Sequence, residues 1–256
     1  DNIYSGKIGY DPHLHTSSEI ELLENNLRND DITLSKTNNL IDIIWTKQPP
    51  CKNNYILEHK HEYAGKKSLV KCQDITKILV NEEQQQCVLT DPESISWLLN
   101  IRGNDVPRIP VVQACAVINS VGQVDLFIDL NKLKHYSLEN LPHVKIHPFY
   151  KFKSHLRELV GTTRIDYQKT PISIKDCIAN YVFCEDPCIL PKAIKNSTEL
   201  KGTRKAHYRD AVAVISFLAW LDCQMPGKFT EIDAVTKLEN LRKNHPDFRD
   251  ISFDTI

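Results

Sequence analysis

Glycine is scarce, with eight in 256 residues. A phosphate-cradling loop needs several glycines close together so that backbone N–H groups can approach the ligand, and none is present. Surplus charge is also missing: 32 basic residues stand against 33 acidic ones, a net charge of −1. Nothing in that balance argues for a nucleic-acid or anionic-membrane partner. Long apolar runs are absent too. The longest, Ala211–Leu221, is about half a membrane span, so no membrane-crossing segment is predicted. No secretory signal pattern is visible in these residues. Gly-x-Ser-x-Gly and His-Glu-x-x-His do not occur, which removes the signatures of serine hydrolases and zincins. There is one methionine, Met225, and position 1 is Asp; we expect the chain to be part of a longer one.

What is there is ordinary for a globular protein: 41% hydrophobic and 25% charged residues, in a length that holds one large domain or two smaller ones. Eight cysteines fall at 51, 72, 87, 115, 177, 184, 188 and 223. Several lie inside apolar runs, as buried free thiols do in a reducing compartment, and a cytoplasmic location is expected. The lone sequon Asn196-Ser197-Thr198 does not alter that expectation.

Lys7–Tyr10 reads as a strand. Ser17 or Ser18 caps a helix over Glu19–Arg28, and Asn39–Trp45 is a short apolar piece. Thr46–Asn54, with Gln48-Pro49-Pro50, reads as a linker. A helix follows over Lys67–Asn81 with Leu69, Val70, Ile75, Ile78 and Leu79 as its apolar face. Glu82–Gln86 is a polar loop and Cys87–Leu89 a buried strand. Asp91 caps a helix over Glu93–Leu99, with Pro92 at its first position. Val111–Ile118 and Gln123–Leu130 are strands around a turn at Asn119–Gly122. In the second, Val124, Leu126, Ile128 and Leu130 alternate with Asp125, Phe127 and Asp129, as in a strand buried on one side. Val144–Ile146 and Arg164–Tyr167 are further strands, with a helix Phe149–Val160 between them. A helix Ser173–Asn180 and a strand Tyr181–Phe183 end an α/β (α+β mixed) block. Asn196, with Glu199 at the capping-box position, then starts a long helix to about Cys223. Ala211–Leu221 is apolar nearly all round, so that helix should be buried on most sides within a larger domain. Thr230 caps a last helix with Val235, Leu238 and Leu241 inward, stopped by Asn244-His245-Pro246. Ile251–Ile256 reads as the first strand of a sheet.

The candidate chemistry is thin. Cys184 and Cys188, with Cys177 nearby, could offer thiolates to zinc, but the second matching pair of a structural site is missing. His13/His15 and His59/His61 are i, i+2 pairs with no third ligand at a fitting spacing. Lys66-Lys67 and Lys151-Phe152-Lys153 are small basic clusters on what should be solvated faces. Trp97–Asp105 is a stiff corner that an Arg102–Asp105 pair could lock. Spacing assigns no catalytic, cofactor-binding or metal-binding residue.

Several stretches together resemble the Xaa-Pro aminopeptidases of the creatinase, or pita-bread, metallopeptidase family. They are Ile8–Thr16, Asn39–Trp45, Tyr63-Ala64-Gly65-Lys66, Trp97–Asp105, Pro191–Asn196, Glu199–Asp210 and Asp250–Ile256, in the family's order over essentially the whole chain. His13 stands where the family commonly has Trp, and Ala211 where it commonly has Gly. The resemblance implies that residues 1–45 are the tail of a first creatinase-like domain, 46–55 a linker and 56–190 a second such domain. Residues 191–256 would then open a catalytic pita-bread domain with its first two helices and first strand. It also implies removal of an N-terminal residue that precedes proline, with two divalent metal ions, typically manganese, activating a water. The family's metal ligands, two Asp, one His and two Glu, fall beyond the position matching Ile256, so the chain alone is expected to be inactive. Peptides with proline second would be the partners, and a homodimer is possible. Two other readings stay open: a pita-bread-like protein that binds peptides or histones without catalysis, and a free-standing dimerisation module.

Overall fold

The computed structural model describes residues 5–28, 31–49, 54–137, 139, 141–225 and 227–253. At the start, β1 (Ser5–Tyr10), α1 (Ser17–Asn26) and β2 (Asp31–Lys36) form a parallel βαβ unit in register Ser5↔Asp31 to Tyr10↔Lys36. The strand at 31–36 is not among the expected elements, although Ile32 and Leu34 alternate with polar neighbours. The cap of α1 is Thr16 and not Ser17 or Ser18. Its side chain accepts from Glu19 N–H while Glu19 reaches back to the Thr16 N–H, a complete capping box. α2 (Leu40–Ile44) comes next, capped by Asn39. The proposed linker runs out of the described residues at 50–53.

The body begins with β3 (Leu57–Glu58), α3 (His61–Ala64), α4 (Ser68–Asn81), β4 (Gln86–Leu89), α5 (Pro92–Leu99) and β5 (Ile101–Arg102). It continues through β6 (Cys115–Asn119), β7 (Val124–Ile128), β8 (Val144–Pro148), α6 (Phe152–Arg157), β9 (Thr163–Ile165), α7 (Ile172–Lys175), β10 (Tyr181–Phe183) and α8 (Ile189–Ala193). Six strands make one mixed sheet in the order β10-β9-β4-β6-β7-β8. β6 runs antiparallel to both β4 and β7, and the other pairs are parallel.

Period-two alternation sorts the strand side chains onto two faces. Cys87, Leu89, Ala116, Ile118, Val124, Leu126 and Ile128 pack against α4 and α5. Val88, Val117 and Phe127 pack against α6 and the turns around α7. The one-sided reading of β7 is therefore corrected: Phe127 is 0% exposed, because α6 covers the face that Asp125 and Phe127 share. α4 is rotated from its expected face. Leu69 and Val70 are exposed, while Ser68, Lys71 and Cys72 are buried with Ile75 and Leu79.

Glu82–Gln86 is not a plain polar loop either. Arg164 donates to Glu82 Oε2 at 2.5 Å and to Gln84 Oε1 at 3.3 Å. Gln86 donates to Thr163 Oγ1 at 2.7 Å, so the buried amides serve the sheet. The strand expected from Val111 starts only at Cys115. Val112 N–H goes instead to Ser96 Oγ and Gln113 N–H to Asp105 Oδ2, which leaves no ladder for them to join. The helix expected over Phe149–Val160 is a 3-10 turn at Phe149–Lys151 followed by α6.

α9 (Ser197–Asp222) opens with the Asn196–Glu199 capping box read from sequence, and α10 (Glu231–Lys243) with the expected Thr230 cap, which the structure completes into a box with Asp233. Ile251–Phe253 form no strand, and 254–256 lie outside the described residues. A strand exists through bonds to a neighbour, and no described strand lies alongside.

The seven described cysteines are free; Cys51 lies outside the described residues. Burial pushes the Cys72 and Cys115 thiols up to about 12 and raises Cys87 and Cys188 well above the ordinary range. Cys223, at the exposed end of α9, is open to solvent. Iodoacetamide at pH 8 should alkylate Cys223 while those four stay unmodified, read by peptide mass mapping. Comparable labelling of any of the four in the folded chain would contradict this packing.

Candidate functional site

A cluster of functional groups lies where the α/β body meets the N-terminus of α9. Lys71 projects from α4 into the interior and is 3% exposed. Its Nζ donates at 2.8 Å to Trp97 O and at 2.8 Å to Asn100 Oδ1, and it lies 4.3 Å from the centre of the Trp97 ring. Asn100 ends α5 in the left-handed conformation and donates to Lys66 O. Burial pushes Lys71 down to about 8; Arg102 and Lys66 add to the effect, and the Glu199 carboxylate opposes it.

Glu199 belongs to α9, whose cap Asn196 donates to Ala64 O at 2.8 Å. This contact needs Gly65. Its φ is +67°, and a Cβ there would lie 2.5 Å from Asn196 Oδ1 and 2.8 Å from Thr198 Cβ. Between these groups a cavity of about 180 Å³ is lined by Lys66, Lys71, Trp97, Asn196 and Glu199 among others. Its lining carries three cations, Lys66, Lys71 and Lys195, and one carboxylate but no nucleophile–base pair, so its chemistry is that of a junction.

His59 sits beside this cluster, its backbone N–H on Asn100 O at 2.8 Å. Burial, then Arg102 and Lys71, push it down to about 4 from 6.5. Because the folded value is the lower, the unfolded chain binds more protons between the two. Stability should therefore fall as pH drops from about 6.5 towards 4. Urea unfolding of a His59→Gln variant should show a shallower loss over that window, and an identical loss would mean that His59 stays solvated.

The other sequence candidates fall into structural roles. Asp105 does not pair with Arg102. It takes Lys132 at 2.5 Å, both side chains buried, while Arg102 donates to Ser96 O and Ile101 O. The reach of Lys132 from the far side of the corner could not be read from local spacing. Cys188 is fully buried, and its N–H bonds Asp186 Oδ1, whose own N–H bonds Asp166 Oδ2. The Cys184–Cys188 loop is thus held by carboxylates. His13 contacts Asp11 and Lys153 on the surface, and Lys66 pairs with Asp74. Among the described residues no three or more of His, Cys, Asp and Glu are grouped so as to hold a metal ion. No described helix is long and apolar enough to cross a membrane.

A second feature is a groove of about 960 Å³ between α9, the end of α10 and the segment 244–252. Arg242 bonds both carboxylate oxygens of Asp210, at 2.7 and 3.2 Å, across its floor. Arg209 pairs with Asp247 at 3.5 Å. On α9 only Ala213 is buried; Val212 and Ile215 are each 66% exposed. Among the described residues, the apolar stretch expected to be covered on most sides meets only α10, through half-buried Val235, Leu238 and Leu241, the Phe229 ring on Trp220 and the segment 244–252.

The family model for the Creatinase/Prolidase N-terminal domain matches residues 47–199, which includes the whole six-stranded sheet and the junction at Gly65. The chain belongs to the creatinase/prolidase N-terminal domain family. It is also similar beyond that domain. It is 32% identical over 98% of its length to a probable Xaa-Pro aminopeptidase P of Laccaria bicolor, and over 100% to one of Pyricularia oryzae. These matches span 41% and 46% of the relatives, so the chain covers less than half their length. Among solved structures it matches an X-prolyl aminopeptidase of Caenorhabditis elegans, described as a cytosolic enzyme with a di-nuclear active site. That match has a TM-score of 0.91 and 26% identity, over 100% of this chain and 44% of the other. An Xaa-Pro dipeptidase of Bacillus anthracis shares the fold over 68% of this chain, with a TM-score of 0.54 and 12% identity.

Proposed function

We propose that this chain is the scaffold portion of a metal-dependent aminopeptidase that removes the N-terminal residue preceding proline. The observation that carries the reading is the fit of all its described elements, α9 and α10 included, to the Caenorhabditis elegans X-prolyl aminopeptidase. Two features of the chain support it. A two-stranded sheet such as β1–β2 is marginal alone and asks for flanking strands, and the exposed apolar face of α9 asks for a covering layer.

In this reading residues 1–45 close a first creatinase-like domain, 46–55 link it to a second at 56–190, and 191–256 begin the catalytic domain. The described residues do not suit a two-metal centre, so two divalent ions, with manganese our expectation, would be held by residues outside this chain. The chain's own part is to build the wall of the site and fix the start of the catalytic domain. Peptides with proline second are the proposed substrates, the cytosol the proposed location, and a homodimer the proposed assembly.

The test compares the 256-residue chain with the longer protein that contains it, both stripped of metal and resupplied with manganese, on X–Pro peptides. We expect cleavage by the longer protein only. Cleavage by the chain alone would overturn its scaffold role, and peptide binding without cleavage by the longer protein would overturn the aminopeptidase reading.

A further inference from the structure

The turn Val106-Pro107-Arg108-Ile109 carries an anomaly. Its ends pair by an isolated bridge, with Ile109 N–H on Val106 O at 3.2 Å. Proline stands second and the third residue has φ +67°, the position where such a turn calls for glycine or asparagine. Here it is arginine. The strained backbone supports a long reach: Arg108 Nη1 donates at 2.8 Å to Asp250 Oδ1, 142 residues on. The same oxygen accepts the N–H of Ile251 at 2.8 Å, and Ile251 is buried. One carboxylate oxygen thus joins the turn to the backbone direction of the segment 244–253.

Among the described residues, hydrogen bonds join α9 and its C-terminal extension to the α/β body at two places. One is the Asn196 cap on Ala64; the other is Arg108 on Asp250. The α9–α10 hairpin is thereby pinned at both ends, with Arg209–Asp247 tying the far segment back to α9. Both members of the Arg108–Asp250 pair are about a third or more exposed, so it adds little to stability, and the left-handed backbone works against it. Stability does not account for arginine at this position; the reach to Asp250 does.

We infer that Arg108 is a positioning residue that registers the segment 244–253, and the chain leaving it, on the α/β body. Its consequence for catalysis rests on the proposed aminopeptidase function. In that reading 244–253 leads into the metal-binding part, and a loose entry would misplace the ligands relative to the wall.

The experiment has two arms. In the 256-residue chain, Arg108→Gly relaxes the turn and deletes the guanidinium. Hydrogen exchange in 244–253 should accelerate about ten-fold while protection in the six-stranded sheet is unchanged. The swapped pair Arg108→Asp with Asp250→Arg, which puts a residue tolerant of left-handed φ in the turn, should restore it. In the longer protein, Arg108→Gly should lower kcat on an X–Pro peptide about ten-fold with KM near wild type, and the swap should recover part of the loss. Unchanged exchange in 244–253 overturns the inference, and faster exchange with unchanged kcat overturns its consequence for catalysis. If the wild-type longer protein cleaves no X–Pro peptide, the aminopeptidase reading fails, and the exchange arm still upholds or overturns the registration by Arg108.

Discussion

Gly65→Ala is expected to destabilise the chain by about 3 kcal/mol, the sum of a left-handed alanine, a lost cap and a lost hydrogen bond. Gly65 closes α3 at φ +67°, where a Cβ is disfavoured by roughly 1 kcal/mol. The added methyl would stand 2.5 Å from Asn196 Oδ1 and 2.8 Å from Thr198 Cβ, so the first turn of α9 must withdraw. That withdrawal breaks the Asn196 bond to Ala64 O and strains the capping box that Asn196 shares with Glu199. Gly202, inside α9, is the control. A Cβ there meets nothing within 4 Å, and alanine should stabilise by about 0.5–1 kcal/mol through helix propensity. Urea unfolding of both variants reads the contrast. A Gly65→Ala midpoint level with wild type would mean that α9 does not rest on this glycine.

The contrast also marks what local sequence can convey. Caps are short-range devices, so Asp91 with Pro92, Asn196 with Glu199, and Thr230 were legible and stand where expected. Alternation gave β7, and short apolar runs gave β4, β6, β8 and β10 at least in part, because both are local patterns. The failures have one cause: the partner lies far along the chain. Leu69 and Val70 continue the apolar pattern of α4, yet Lys71 takes the inward place because Trp97 O and Asn100 Oδ1 await it. Phe127 looked like an exception within a one-sided strand until α6 arrived to cover it. Arg102 and Asp105 are neighbours of opposite charge, yet Lys132 claims the aspartate. At the junction, Gly65 stood in the sequence only within the resembling stretch Tyr63–Lys66, and its contact with Asn196, over a hundred positions later, was not legible. The resemblance to a family carried more about function than any spacing did, since the described residues place no catalytic group together.

Lys71→Met is the second large effect, and its pH dependence makes it diagnostic. Met fills similar volume, but it leaves Trp97 O and Asn100 Oδ1 without their donor in a buried site. Two orphaned acceptors and a lost cation–π contact cost about 3 kcal/mol together. Against this, the wild-type ammonium is itself penalised by burial, which is why its folded value is about 8 against 10.5 unfolded. The folded value is the lower of the two, so the unfolded chain holds the proton more tightly between pH 8 and 10.5. Wild-type stability therefore gains from this residue as pH rises through that window, by roughly 2–3 kcal/mol at most. Below pH 8 both states are charged and the penalty is constant. The buried thiols titrate with the opposite sign above pH 9, but they are common to both proteins and cancel in the difference. The stability gap between wild type and Lys71→Met should accordingly be present at pH 7.5 and wider at pH 10, measured by urea unfolding at each pH. A gap of the same size at both would mean that the ammonium is not penalised in the folded state, with the Glu199 carboxylate from α9 offsetting its burial. The junction would then hold α9 by charge pairing in addition to the steric fit at Gly65.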